Sequence, residues 1–220
     1  MTDSKTKEGK LKILNLYAGI GGNRKLWDDE HDITAVELDP KIAAIYQDFF
    51  PKDNVVIADA HQYLLDHFKE FDFIWSSPPC PTHSSFAKMR SLSDDYKRGN
   101  ASYETQYPDM KLYEEILLLQ HHFKGKYCVE NVIPYYKPLI EAQKLQRHLF
   151  WTNFFIRPIE VESDNIKKGK RVDWEAKLGL SLEGKDVGIR TDTILRNCVN
   201  PELGFHIFNE AFKNPQKQLL

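Results

Sequence analysis

Cysteine is scarce in this chain, with three in 220 residues. An odd count without paired spacing argues against a disulfide framework and points to a reducing, cytoplasmic setting. An excess of one charge is also missing. Thirty Lys and Arg against 32 Asp and Glu leave a formal net charge of -2, so any grip on nucleic acid must come from a local basic face. Long apolar runs are absent too, and Met1 to Lys10 is polar and charged. Neither a signal peptide nor a membrane-spanning helix is expected. There is no internal repeat, no low-complexity stretch and no cluster with metal-ligand spacing, so no metal is expected. What remains is an ordinary globular composition, 41% hydrophobic and 28% charged. The length suits one domain with a full core and barely two.

After a solvated tail over residues 1–10, short apolar runs alternate with helical stretches. Strands are predicted over Leu11–Tyr17, Ile33–Glu37, Asn54–Ala58, Phe71–Trp75, Lys126–Val129 and Leu149–Ile156. Helices are predicted after Asp39-Pro40, over Ala60–Phe68, from an Asp109 cap through Leu119, and over Pro201–Phe212. Residues 82–108 read as a long polar loop and Lys167–Arg171 as a basic one. Alternation of this kind predicts an α/β domain, a mostly parallel twisted sheet with helices on both faces.

Two turns carry the chemistry. Tyr17-Ala18-Gly19-Ile20-Gly21-Gly22 follows the first strand, where glycines permit a tight turn and close approach to a ligand. Glu37 ends the second strand, the place from which a carboxylate reaches ribose hydroxyls in doubly wound sheets. The pair suggests a nucleoside-containing cofactor, and the third glycine of a dinucleotide fingerprint is missing. Asp59, after the third strand, can face the adenine end of such a ligand or cap the next helix.

The second turn is Ser76-Ser77-Pro78-Pro79-Cys80-Pro81, at the carboxyl end of the fourth strand, where open parallel sheets bind ligands. Three prolines fix where the sulfur points, as an attacking thiol requires. Cys128 and Cys198 read as inert buried residues. Glu130-Asn131-Val132 ends the fifth strand on the same edge, and an acid there is costly to bury without a task.

Taken together these residues resemble the cytosine-C5 methyltransferase family, in order from Leu11 to about Phe212. The resemblance implies a Rossmann-like class I fold and S-adenosylmethionine as cofactor. It implies that Tyr17, Ala18, Gly19, Ile20, Gly21, Gly22, Glu37, Leu38, Asp59, Ala60 and Pro79 line the cofactor site. Arg196-Asn197-Cys198-Val199-Asn200-Pro201 resembles the segment that returns to the cofactor and completes the sheet, contributing Asn197 and Val199. Cys80 is implied as nucleophile, Glu130 as the acid and Arg147 as the carbonyl-holding arginine, with Ser84, Ser85, Lys88, Arg90 and Asn131 touching substrate.

Three departures stand out. Pro81-Thr82-His83-Ser84 follows the nucleophile where glutamine is usual, and the family's arginine pair is reduced to Arg147-His148. The large target-recognition domain shrinks to a vestigial segment over residues 157–172, of which Lys167, Lys168, Lys170 and Arg171 could meet DNA.

The implied activity is methylation of carbon 5 of a flipped-out cytosine in DNA by a monomer, through a covalent Cys80 adduct. A protein partner supplying sequence specificity is an expectation motivated by the short recognition segment. The same chemistry on transfer RNA, or a non-catalytic regulator that binds cofactor or nucleic acid, are the alternatives. A nicotinamide-dependent reductase would leave Pro79-Cys80 and Glu130-Asn131-Val132 unexplained.

Overall fold

The computed structural model describes residues 9–84, 107–159, 171–188 and 190–213. Its centre is a seven-stranded sheet. The strands are β1 (Lys12–Leu16), β2 (Asp32–Glu37), β3 (Asn54–Ile57), β4 (Phe73–Ser76), β5 (Lys126–Val132), β6 (Gln143–Leu145) and β7 (His148–Thr152), in the order β3-β2-β1-β4-β5-β7-β6. The first five pair in parallel, and β7 runs antiparallel to both β5 and β6. Strand order reverses between β1 and β4, which opens a crevice at their carboxyl ends. The fold is the Rossmann-like class I arrangement.

Both sheet faces are buried, so the central strands read as nearly continuous apolar runs. Leu14, Leu16, Ile74, Val129 and Trp151 face α2 (Ala60–His67) and α3 (Lys111–His122). Ile13, Phe73, Trp75 and Phe150 face the other way, against Trp27 and α6 (Pro201–Phe212). A third cluster joins Ile20 and α1 (Pro40–Phe49) to α4 (Arg171–Leu178) and α5 (Thr191–Asn197).

The β1–β2 crossover contains successive turns and no α-helix. Buried Arg24 holds it. Its guanidinium pairs with buried Asp53 at 3.0 Å, donates to Trp27 O at 2.8 Å and reaches Asp29 at 2.6 Å. A buried guanidinium is tolerable only when its donors are met, and these partners supply that.

The strands, α1 and α6 fall close to their predicted bounds, and Pro40 and Pro201 stand at the helix starts as expected. Corrections concern weak or short patterns. Asp109 is not the cap of α3; Met110 holds that position, and Asp109 accepts from Lys111 N one residue early. The strand predicted over Leu149–Ile156 ends at Thr152, and its partner β6 was not anticipated. Nor were α4 and α5. Arg171, assigned to a basic loop, opens α4, and residues 160–170 lie outside the described residues. Among the described residues no helix is long and apolar enough to cross a membrane.

Candidate active site

Because β1 to β5 are parallel, the turns after them gather along one edge. β6 runs with that set, so the two-residue β6–β7 turn, Gln146-Arg147, lands on the same edge. His148 pairs with Val132 there. The Cys80 turn, the Glu130 strand end and Arg147 thus share one side of the crevice, while the glycine turn, Glu37 and Asp59 share the other.

The glycine turn is clamped by Glu37. One carboxylate oxygen accepts from Gly19 N at 2.9 Å and the other from Asp39 N at 3.0 Å. Tyr17, Gly19 and Gly21 all have positive φ, at 54°, 55° and 82°. The glycines differ in why they are needed. A Cβ on Gly21 would lie 2.3 Å from the Phe50 ring, and one on Gly22 2.7 Å from Val199 O. A Cβ on Gly19 would meet nothing within 4 Å. Gly19 therefore borders open space at the strand edge, the room a cofactor needs.

Asp59 accepts from Gln62 N at 3.0 Å as the cap of α2, and that hydrogen bond holds its carboxyl below the usual range. Leu38, next to Glu37, is exposed, whereas Ile20 and Ala60 are buried in the framework. Asn197 is exposed at the end of α5. Val199 has its side chain in the core and its carbonyl against Gly22. The Arg196–Pro201 segment does return to the glycine turn, but as a helix end and a helix start. It adds no strand, and β7 and β6 complete the sheet instead.

Cys80 is half-buried in a turn whose carbonyl accepts from His83 N and Ser84 N, each at 3.0 Å. Pro79 is exposed beside it. Asn131, expected to touch substrate, also braces the site. Its amide donates to Pro78 O at 3.0 Å and its oxygen accepts from Val132 N, which pins the nucleophile turn to β5. Ser84 bridges to Pro134, and Ser85, Lys88 and Arg90 lie outside the described residues. His83 is buried, hydrogen-bonded to the Tyr136 hydroxyl, and desolvation pushes its pKa down. It braces the turn from behind.

Burial pushes the Cys80 thiol up, and the Glu130 carboxylate adds to this, while Arg147 opposes it. Both partners assigned from the sequence therefore act on the sulfur's charge. Glu130 is buried, with His148 Nε2 3.6 Å from its carboxylate, and Arg147 donates to Arg196 O at 3.3 Å. A thiol held above its ordinary pKa should alkylate slowly at neutral pH, with a rate rising about tenfold per pH unit. Arg147→Ala should slow it further, because the favourable charge is lost. Iodoacetamide labelling followed by peptide mass spectrometry checks this; a rate independent of pH would contradict it. Buried Cys128 and half-buried Cys198, the latter pushed up to about 12 by desolvation, serve as internal controls.

The sequence model described as C-5 cytosine-specific DNA methylase matches residues 11–105, from β1 through the Cys80 turn. Over residues 11–105 the chain is therefore similar to the cytosine-C5 methyltransferases. A tRNA (cytosine(38)-C(5))-methyltransferase of Spodoptera frugiperda is 31% identical over 96 residues, 41% of this chain and 28% of that protein. The Type II methyltransferase M.Bsp6I of Bacillus sp. (strain RFL6) is 32% identical over 98 residues, 43% of this chain and 30% of that protein. The match thus spans under a third of either relative. Among solved structures, a Spodoptera frugiperda DNMT2 variant is 23% identical with a TM-score of 0.35, covering 55% of this chain and 35% of that one. The glycine turn, Glu37, Asp59 and Pro79-Cys80 lie inside the matched range. Glu130 and Arg147 lie beyond it and are tied to the site by geometry.

Sequence reasoning missed three members of the site's surroundings. His148 carried a signal, since it follows Arg147 where the family has a second arginine. Glu115 and His61 carried none, because a helical Glu and a helical His read as solvated surface.

Proposed function

We propose that the chain methylates carbon 5 of cytosine in DNA, using S-adenosylmethionine and a transient bond from Cys80 to carbon 6. The observation that carries this reading is the convergence of Cys80, Glu130 and Arg147 on one strand edge, opposite a glycine turn with open space at Gly19.

Cytosine is a weak nucleophile at carbon 5. Addition of the Cys80 thiolate to carbon 6 forms an S–C bond and moves the ring electrons toward nitrogen 3 and the carbonyl oxygen. Glu130, in its carboxylic-acid form, donates a hydrogen bond or proton at nitrogen 3, and Arg147 holds the carbonyl oxygen. S-adenosylmethionine, when bound, supplies the methyl group that carbon 5 takes. The carbon 5 proton then leaves to solvent, the S–C bond breaks and the double bond is restored. Attack from above the ring requires the base to be out of its stack, at a cost of a few kcal/mol. Gly19, Glu37 and Leu38 would hold the cofactor on its side of the crevice. With recognition reduced to a short segment, a partner protein supplies sequence specificity, while the chain alone methylates DNA without it; sequence-specific methylation by the purified chain alone would rule the partner out.

One relative's printed name concerns transfer RNA and the other a Type II system, so RNA is the second acceptor to be tested. A fluorine at carbon 5 cannot leave as a proton, so fluorinated cytosine should trap Cys80. Incubating the protein and cofactor with fluorocytosine duplex DNA, and separately with fluorocytidine transfer RNA, should give a covalent complex with DNA at Cys80. A complex with RNA alone would reassign the substrate. Absence of both would overturn the covalent mechanism.

A further inference from the structure

Glu115 of α3 is fully buried, and among the described residues its ion-pair partner is His61 alone. One of its oxygens accepts from the Tyr17 hydroxyl at 2.6 Å and lies 3.0 Å from His61 Nδ1. The other accepts from the Ser76 hydroxyl at 2.6 Å. Tyr17 belongs to the cofactor turn, and Ser76 is the last residue of β4, where the chain leaves for Cys80. A single carboxylate thus joins the two halves of the site. Packing alone does not call for it, since Leu112, Ile116 and Leu119 already seat α3 on the sheet. A buried carboxylate is costly unless its oxygens are met, and two hydroxyls and one imidazole meet them here.

The turn is held at two points. Glu37 takes the Gly19 amide, and Glu115 takes the Tyr17 hydroxyl while the Tyr17 backbone sits at a positive φ.

We propose that Glu115 is a positioning residue, fixing the cofactor turn through Tyr17 and the nucleophile strand through Ser76, with His61 supplying the balancing charge. This rests on the cofactor reading given under the proposed function. The hydrogen bond to Glu115 raises the pKa of His61, with burial opposing. The groups facing the pair are Glu114, whose carboxylate lies 3.3 Å from His61 Nε2, and Lys111; Asp59 and Asp109 face Tyr17. The sign follows. With a raised folded-state pKa, the charged pair is complete below the ordinary histidine value and is lost as pH rises through the raised one. Cofactor affinity should therefore fall on the alkaline side.

The test is calorimetric titration of the full chain with S-adenosylmethionine at about pH 6 and about pH 9. Wild type, Tyr17→Phe and His61→Asn are compared, since asparagine keeps the donor without titrating. Titration of the cofactor itself is common to all three and cancels. Tyr17→Phe should raise Kd about tenfold, the scale of a hydrogen bond to a charged group. His61→Asn should abolish the part of the pH dependence that is specific to wild type. Ser76→Ala should lower kcat while leaving cofactor Kd within about twofold, because it acts at the nucleophile end. Equal affinities for wild type and Tyr17→Phe, with parallel pH curves for His61→Asn, would overturn the positioning role alone. Failure of wild type to bind the cofactor would overturn the cofactor reading and this inference with it.

Discussion

Cys80→Ala should lose methyl transfer by at least on the order of a thousandfold while binding S-adenosylmethionine as tightly as wild type. The separation follows from where the residue stands. Cys80 sits on the turn after β4, pinned by Asn131 to Pro78 O and closed by the His83 and Ser84 amides. Those contacts involve backbone atoms and the asparagine side chain, so removing the sulfur leaves the turn intact. The cofactor side is built from β1, β2 and their turns. Turnover measured beside calorimetric cofactor affinity checks this. Activity retained within about tenfold would remove Cys80 from the chemistry. A parallel loss of cofactor affinity would mean that the two sides of the crevice are not separately built.

Alanine at Gly19 and at Gly21 should fail in opposite ways. Both residues have positive φ, which costs an L-residue about 1–2 kcal/mol. At Gly21 the added methyl also overlaps the Phe50 ring at 2.3 Å and the Tyr46 ring at 2.9 Å. Tyr46 is fully buried and hydrogen-bonded to Asp53, so it cannot easily yield. Overpacking of this kind adds about 1–3 kcal/mol. Gly21→Ala should therefore lose about 2–5 kcal/mol of a stability that is itself about 5–15 kcal/mol. Gly19→Ala meets no atom and should lose only about 1–2 kcal/mol of stability. Its methyl occupies the open space instead, so cofactor binding should weaken by more than about tenfold. Denaturant melts and cofactor titration of both variants decide it. Similar profiles for the two would show that the open space beside Gly19 is not the cofactor's.

These contrasts show where sequence is informative. The run Leu11–Tyr17 followed by glycines is readable because a strand buried on both faces and a turn that tolerates no Cβ each leave a local mark. Pro40 and Pro201 mark their helices for an equally local reason. β6 left little mark, since Leu145 is its one buried residue in three. α4 buries only Trp174 and Leu178, too few to print a helical period. The separate duties of Gly19 and Gly21 were invisible, because they depend on Phe50 and Tyr46, distant in sequence. Glu115 is the extreme case. Its partners come from the turn after β1, from β4 and from α2, and only the assembled fold brings them within hydrogen-bonding distance.

The most direct test of the central claim supplies the purified chain with methyl-labelled S-adenosylmethionine and duplex DNA, single-stranded DNA or transfer RNA, beside Cys80→Ala. Label should be recovered as 5-methylcytosine from DNA and lost in the variant. Label on another base or another atom of cytosine, label undiminished in Cys80→Ala, or label in no acceptor would contradict it.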